Sequence, residues 1–576
     1  MKSLKVFFLF VVLLSVFGGV VAQTPEWAWA NKAGNNFADG ALSSATDSNG
    51  NTYVTGHFTG YNVSFGATLL STPDNYTDIF VAKLDNAGNW LWAKRAGGSY
   101  NQRGECIAVD SDGNVYITGI FEISATFGDI NLSDIGSTNI FVAKLDSAGN
   151  WLWAKGAGSM ANWNYGLGIA VDNAANVYVT GSFQLSVAFG ANTLICTGDK
   201  DIFVAKLDST GNWLWAKSAD GEGGSGGGDG RSIAVDSNSN VYLTGSIHEK
   251  VYFGSIILGS STGNTEDNIF VAKLDSAGNW LWAKDAGGSA WDYSCGIALD
   301  GTGNCYVTGY FWGDAYFGGI TITSLGQTDI FVAKLDSAGN WLWAQRAGGT
   351  LNYDYDEGSD IAVDSVGNVY FTGYFSGTSA SFGSNSLTSN GTKDSFVAKL
   401  DSGGNWIWAK GVGGIGEDKG NGIALDSNNN IYVSGHFAGT NVAFDAITLT
   451  SNGHTGQYGQ ADIFVAKLGS GVDVSDDLNP PVIAITMSAS PNPFKQGTTL
   501  NIAMDKTNSQ DLRVVLYDIK GRRIQTLACI PVGSDRFTLS WDGRDTKGAT
   551  CPSGIYLAKL YAGQRQLSCA KLTLIR

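Results

Sequence analysis

Histidine is nearly missing from this chain: His57, His248, His436 and His454 are the whole supply in 576 residues. They form no metal-ligand cluster, and no G-x-S-x-G elbow is present, so metal-assisted and serine-nucleophile hydrolysis lack their usual groups. His57 and His436 share one repeat position, after T-G or S-G, and read as strand-end residues. Cysteine is sparse and scattered, at Cys106, Cys196, Cys295, Cys305, Cys529, Cys551 and Cys569. The absence of a C-x-x-C pair argues against zinc, although Cys529, Cys551 and Cys569 lie close enough for one bridge. The Gly-rich run Gly221 to Gly230 lacks the G-K-(S/T) of a phosphate loop. Positive charge is short as well. The net charge of −16 repels phosphate backbones and argues against nucleic acid as a partner. The deficit is uneven: residues 482–576 hold 13 Lys/Arg against 6 Asp/Glu. The rest of the chain, once a leader is removed, is therefore more acidic than the total by roughly nine charges. Nothing calls for a cofactor.

Long apolar runs are absent beyond the start of the chain. Lys2 and Lys5, then Val6 to Phe17, then Val20-Val21-Ala22 read as a secretory signal over residues 1–22, cleaved before Gln23. No later stretch is long and apolar enough to span a membrane. The mature protein is expected to have no transmembrane segment.

Glycine (78 residues), aromatics (12%) and few charges (15%) suit a turn-rich, all-β protein. They are organised as a repeat. F-V-A-K-L begins at Phe80, Phe141, Phe203, Phe270, Phe331, Phe396 and Phe464, and W-x-W at Trp27, Trp90, Trp151, Trp213, Trp280, Trp341 and Trp406. Each W-x-W follows an F-V-A-K-L, except that Phe464 has none after it and Trp27 has none before it. This permutation suits a closed ring whose N-terminal strand completes the last unit. The fold expected over 23–468 is a seven-bladed β-propeller with residues 27–32 closing the last blade.

Within one module, Ile107-Ala108-Val109, Val115 to Phe121, Ile140 to Leu145 and Trp151 to Lys155 read as four strands. A Phe-Gly step at Phe127-Gly128 opens a variable loop. In F-V-A-K-L, alternation sends Phe, Ala and Leu to one face and Val and Lys to the other; in W-x-W both indoles are expected on one face, packing between blades. D-x-x-x-N turns recur thirteen times, with Asp bonding nearby backbone and Gly accepting positive φ. Asp110-Ser111-Asp112-Gly113-Asn114 has the outline of a calcium loop, but only this copy carries the second Asp. The Asp box of sialidases is a further alternative, for which only Arg95, Arg103, Arg231 and Arg346 offer a carboxylate clamp.

Residues 469–481, with Asp473, Asp476, Asp477 and Pro480-Pro481, read as a linker. Beyond it the repeat vocabulary stops. Leu512 to Tyr517, Arg536 to Trp541 and Ile555 to Leu560 alternate like strands, and residues 482–576 suit a small β-sandwich.

Two resemblances rest on these residues. A-x-D-x-x-G-N-V-Y-(V/F)-T-G, as at Ala362 to Gly373, resembles the bacterial seven-bladed β-propeller (SBBP) repeat over residues 27–468. That implies fold and says little of function. Residues 490–494 (Ser-Pro-Asn-Pro-Phe), Leu516-Tyr517-Asp518 with Gly521, Trp541-Asp542-Gly543, Asp545, Gly548, Ser553-Gly554-Ile555-Tyr556 and the closing Lys571-Leu572-Thr573-Leu574 resemble two related domains. These are the C-terminal domain of type IX secretion cargo and the FlgD-type immunoglobulin-like domain. The resemblance implies a sorting signal read by outer-membrane secretion machinery, and a surface or extracellular address in a Gram-negative bacterium reached through the periplasm.

Shared parts build a propeller's scaffold, so function is sought in loops that differ. Before the I-A-(V/L) phrase lie Trp163, Asn164 and Tyr165, then Trp291, Asp292 and Tyr293, then Tyr355, Asp356 and Glu357, with Asp39 and Asp418 at the middle position elsewhere. An aromatic beside Asn or Asp offers a sugar a stacking face and hydrogen-bond acceptors; the same recurrence also suits a structural cap on loop backbone. The function expected is a non-enzymatic surface module that binds glycan or protein. A propeller hydrolase or lyase acting on polysaccharide, with acids such as Asp354 and Asp356, and a purely structural envelope protein are the alternatives.

Overall fold

The computed structural model describes residues 24–469, apart from 134–136, 160–162, 260–265, 352 and 454–459. It also describes residues 486–576, apart from 504–511, 519–521, 529, 532–535 and 563–564. The signal segment 1–22, the linker beyond Gly469, His454 and Cys529 lie outside the described residues. The chain divides into two compact units, one covering residues 21–472 and the other containing residues 473–576.

In the first unit the sequence repeat becomes a repeated antiparallel sheet. One copy runs through Gln102–Val109, Val115–Phe121, Asn139–Leu145 and Trp151–Ala157, paired in chain order. Copies of this propeller-like sheet start at the first strands Gly40–Thr46, Gln102–Val109, Asn164–Val171, Gly227–Val235, Asp292–Leu299, Glu357–Val363 and Lys419–Leu425, and are numbered sheets 1 to 7. Sheet 7 takes its fourth strand from the chain's beginning: Trp27–Ala33 pairs antiparallel with Asp462–Leu468, Lys32 opposite Phe464. First strands pack side by side from each sheet to the next, and Lys419–Leu425 packs beside Gly40–Thr46. There Asn421 Nδ2 donates to the Ala41 carbonyl and Thr46 Oγ1 to the Leu425 carbonyl, both at 2.7 Å.

Apolar cores lie between neighbouring sheets. Phe141, Ala143 and Leu145 pack with Ile79 and Val81 of sheet 1, while Val142 packs with Ile169 and Val177 of sheet 3, as the alternation of F-V-A-K-L predicts. W-x-W departs from that expectation. A bulge pairs Lys144 with Trp153 and Leu145 with Trp151, skipping Leu152. The extra residue breaks the two-residue period, so Trp151 joins the core against sheet 1 and Trp153 the core against sheet 3. The two indoles do not share a face. Trp153 Nε1 then reaches the next sheet's turn, donating to the Ser209 carbonyl at 3.2 Å. Lys144 Nζ sits 4.8 Å over the Tyr116 ring, whose hydroxyl donates to Asp110 at 2.9 Å. Such a cation–π contact contributes about 0.5–1 kcal/mol, and its counterparts recur in every numbered sheet.

The Phe-Gly step opens a hairpin where a variable loop was expected. Ser124–Phe127 and Ile130–Ser133 pair with each other around Gly128 (φ 61°). The first of them also pairs with Trp90–Ser99, the outer strand of the preceding sheet. Phe127 buries its ring edge-on to Trp151, centroids 5.1 Å apart. The same backward reach recurs as Gly34↔Ser64, Gly158↔Ala188, Gly287↔Tyr316 and Gly413↔Ala443 bridges. Each sheet's otherwise open edge is thereby partly covered.

The second unit holds two four-stranded antiparallel sheets. One includes Thr498–Ala503 and Arg536–Trp541, the other Leu512–Asp518, Gly554–Ala562 and Arg565–Leu574. Leu500, Leu539 and Trp541 of the first share one core with Leu516, Tyr556 and Leu572 of the second. Phe494 stacks edge-on to Trp541, and Asn492 ties in the last strand by accepting from Thr573 N (2.8 Å) and donating to the Lys571 carbonyl (2.7 Å). Cys551 is buried and free. It sits inside this apolar core; Cys529 and the side chain of Cys569, the other candidates for a bridge, lie outside the described residues.

Candidate functional site at the loop face

Each sheet has two ends. The D-x-x-x-N turns occupy one, and the loops entering the first strands occupy the other. At the loop end, Asp39, Asn164, Asp292, Asp356 and Asp418 hold equivalent places, and each is at most 1% exposed. The aspartates staple loop backbone. Asp292 accepts from Gly288 N (2.6 Å) and Trp312 N (3.2 Å), and Asp356 from Gly349 N (2.7 Å) and Ser376 N (2.8 Å). Asp39 and Asp418 repeat the pattern, and Asn164 Nδ2 donates to the Thr138 carbonyl at 3.3 Å. Burial raises Asp39 to about 8 and Asp292, Asp356 and Asp418 to about 7. The structure thus places Asn164, Asp292 and Asp356 beneath the surface, in the capping role, and none of them reaches outward.

Their aromatic neighbours do reach outward. Trp163 is 57% exposed, Trp291 52% and Tyr355 45%. Trp312 is exposed as well and lies 6.2 Å from Trp291, ring to ring. Trp163, Tyr165, Ser182, Gln184, Asp199 and Lys200 line a cleft of about 340 Å³. Tyr165 and Tyr293 stand one residue further along the first strands. Tyr293 stacks on Tyr310, centroids 5.1 Å apart, and its hydroxyl donates to Asp267.

Deeper along the first strands lies a feature the sequence did not disclose. Every numbered sheet has a bulge between its first and second strands, at Leu42, Glu105, Leu167, Arg231, Cys295, Ser359 and Asn421. A bulge re-aims the extruded side chain, here into the space the first strands surround. Polar groups crowd there. Tyr374 donates to Glu357 at 2.8 Å, and the Cys295 thiol lies 3.9 Å from the same carboxylate. Lys419 pairs with Glu417 at 2.7 Å, and the Lys393 and Lys419 ammonium groups lie 4.3 and 4.9 Å from the Tyr374 centroid. Asp360, raised to about 7 by burial, accepts from Ile423 N at 2.9 Å. His57 and His436 sit near the ends of their strands, Thr52–Thr59 and Ile431–Phe437, as their shared repeat position implied, and His436 contacts the bulged Asn421. Burial, with Arg103 and then His436, lowers His57 to about 3; burial, with Lys419, lowers His436 to about 4. The signal that could have found these residues is variation: on first strands whose scaffold positions repeat, these positions change type from sheet to sheet.

At the opposite end, Asp110 spends its carboxylate on turn chemistry. It accepts from Asp112 N (3.0 Å), Asn114 N (2.9 Å), Asn114 Nδ2 (2.8 Å) and Tyr116 Oη (2.9 Å). That is the pattern of the turns with one Asp, so its second Asp adds no distinct local geometry.

Two family descriptions match the chain. The Beta-propeller repeat (SBBP) matches residues 223–253, 342–376 and 407–436, and the FlgD Ig-like domain matches residues 488–566. An uncharacterized WD repeat-containing protein of Acanthamoeba polyphaga mimivirus is 25% identical over 511 residues, 71% of this chain and 36% of its own length. Regulatory protein FlaEY of Caulobacter vibrioides is 34% identical over 113 residues, 19% of this chain and 12% of its own. The chain thus spans little more than a third of the longer match. Among solved structures, an acylaminoacyl peptidase of Pyrococcus horikoshii aligns at TM-score 0.34 and 10% identity, covering 84% of this chain and 61% of the peptidase. A Bacteroides thetaiotaomicron protein of unknown function aligns at TM-score 0.20 and 12% identity, covering 74% of this chain and 97% of that protein. At these scores the likenesses bear on neither fold nor function. The chain carries β-propeller repeats and an Ig-like domain.

Proposed function

We propose that this is an exported surface protein whose propeller binds glycan without transforming it. In this reading residues 23–468 form a closed seven-bladed ring, and residues 482–576 form an immunoglobulin-like sandwich that sorts the protein. The packing of Lys419–Leu425 beside Gly40–Thr46 and the pairing of Trp27–Ala33 with Asp462–Leu468 support closure. The shared core of the two C-terminal sheets supports the sandwich. The Lys2–Ala22 signal pattern and the Ser490 to Phe494 motif favour export through the periplasm, with outer-membrane secretion machinery as partner.

One observation carries the binding reading. Fourteen of the eighteen Trp sit in W-x-W pairs, and the three others of the repeat region, Trp163, Trp291 and Trp312, are all exposed at the loop end. A flat indole left in water beside polar groups is what a pyranose stacks upon. Asp360, Glu357 and Glu105 are engaged by backbone, Tyr374 and Arg103 respectively, which favours recognition over proton transfer. A glycan-array screen of the purified full-length chain tests this. Binding is expected and should fall at least tenfold in Trp163→Ala/Trp291→Ala. A blank array, or binding indifferent to both substitutions, overturns the reading.

A further inference from the structure

The repeat region has only Arg95, Arg103, Arg231 and Arg346. Three of these are matched with carboxylates: Arg95 with Asp78, Arg103 with Glu105 and Arg346 with Asp329. Arg231 stands apart. Its guanidinium has no hydrogen-bond or ion-pair partner among the described residues. It is the residue extruded by the bulge between Gly230 and Ser232. Its side chain is exposed although other protein groups lie close around it. Asp229, Cys295, Tyr310 and Glu357 are its electrostatic neighbours. Both acids are already engaged, Asp229 by Lys200 and Glu357 by Tyr374. Five fixed donors beside the stacked Tyr293–Tyr310 pair are therefore left to solvent.

We propose that the channel at sheets 4 and 5 takes the carboxylate of a uronic-acid sugar, with Arg231 as its clamp and Tyr293–Tyr310 as the adjoining wall. This rests on the glycan reading and narrows it. The planar guanidinium matches a carboxylate through two parallel bonds, which an ammonium cannot imitate. The proposal also accounts for an enclosed arginine that the fold does not use: burial works against its charge, while Asp229, Cys295, Tyr310 and Glu357 hold its pKa above the ordinary value.

Titration calorimetry of the full-length chain with oligogalacturonate, its methyl ester and a neutral galacto-oligosaccharide tests the assignment, alongside an array bearing other uronates and sulfated glycans. Uronates should bind best, and masking the carboxylate as the ester should weaken binding about 10- to 100-fold. Arg231→Gln should erase that difference, and Arg231→Lys should not restore it. Arg231→Lys should melt like the parent, because it keeps the positive charge that Asp229 and Glu357 face, and so separates loss of the clamp from loss of the fold. Equal binding of acid and ester, undiminished uronate binding by Arg231→Gln, or a preference for sulfated glycans would overturn the clamp while leaving glycan recognition standing. Silence from every glycan would sink both.

Discussion

The two ends of the sheets use the same side chain in opposite ways. At the turn end, Asp residues gather hydrogen bonds, some at the surface and some, such as Asp172 and Asp364, largely covered. Asp208 accepts from Asn212 N, Thr210 N and the side chains of both, and the bond from the Asn212 backbone leads in lowering it to about 2. At the loop end, Asp39, Asp292, Asp356 and Asp418 are wrapped in protein, and burial outweighs their backbone donors. The first group favours folding when ionised, the second when protonated. The turn end repeats one design, whereas the loop end repeats only its staple and varies everything around it. A scaffold is stamped out at one end, and the surface around the staple is varied at the other.

Removing residues 23–32 should disrupt both ends at once and have the largest effect. Asp462–Leu468 would lose its partner strand and present an open edge. Aggregation and loss of a cooperative melt are expected by chromatography and calorimetry; behaviour equal to the full chain would show that closure does not depend on this strand. Next comes Asp172→Ala at the turn end. Asp172 accepts from Ala174 N, Asn176, Tyr178 and, across sheets, Ser239. A loss of about 3 kcal/mol is expected in urea unfolding, with ligand binding unchanged; a loss under about 0.5 kcal/mol would erase the distinction drawn between the ends.

The pH dependence should have two limbs of opposite sign. A carboxyl whose folded pKa is about 7 or 8, against about 4 unfolded, binds protons more tightly when folded. Its contribution is complete below about pH 4 and is lost as pH rises through 7 to 8, so stability should climb as pH falls from 8.5 to 6. Turn-end groups such as Asp47, Asp172, Asp208 and Asp300, lowered in the fold, contribute above about pH 4 and lose that contribution in stronger acid. Asp356→Asn should flatten the upper limb by about 1 kcal/mol or less; an unchanged slope would mean the loop-end acids do not titrate as their burial implies. Smallest of all is Trp163→Ala/Trp291→Ala, expected to shift stability by no more than about 0.5 kcal/mol while impairing recognition. A large drop in melting temperature would return those indoles to the scaffold.

The pairing of Trp27–Ala33 with Asp462–Leu468 was legible because Phe464 lacks a W-x-W and Trp27 supplies one. F-V-A-K-L was legible because its two-residue period survives in the fold. Bulges broke that logic twice. One separated Trp151 from Trp153, and another turned Arg231 inward; a single extruded residue leaves no mark in a hydrophobic pattern. Hairpins as short as Ser124–Phe127 carry too few alternations to declare themselves. At the candidate site, the aromatics Trp163, Trp291 and Tyr355 stand exposed. Asp292 and Asp356 were ambiguous because an acid that staples a loop and one that greets a ligand are written with the same letter.

The meeting of Trp27–Ala33 with Asp462–Leu468 also sets a clock. An early segment pairs with one made more than 400 residues later, and Gly469 N donates to the Glu26 carbonyl at 3.0 Å just outside that pairing. Over 400 residues must appear before the opening strand meets its mate, a contact of extreme sequence separation. A chain threaded through a membrane N-terminus first would therefore travel with this edge unpaired until both segments had crossed.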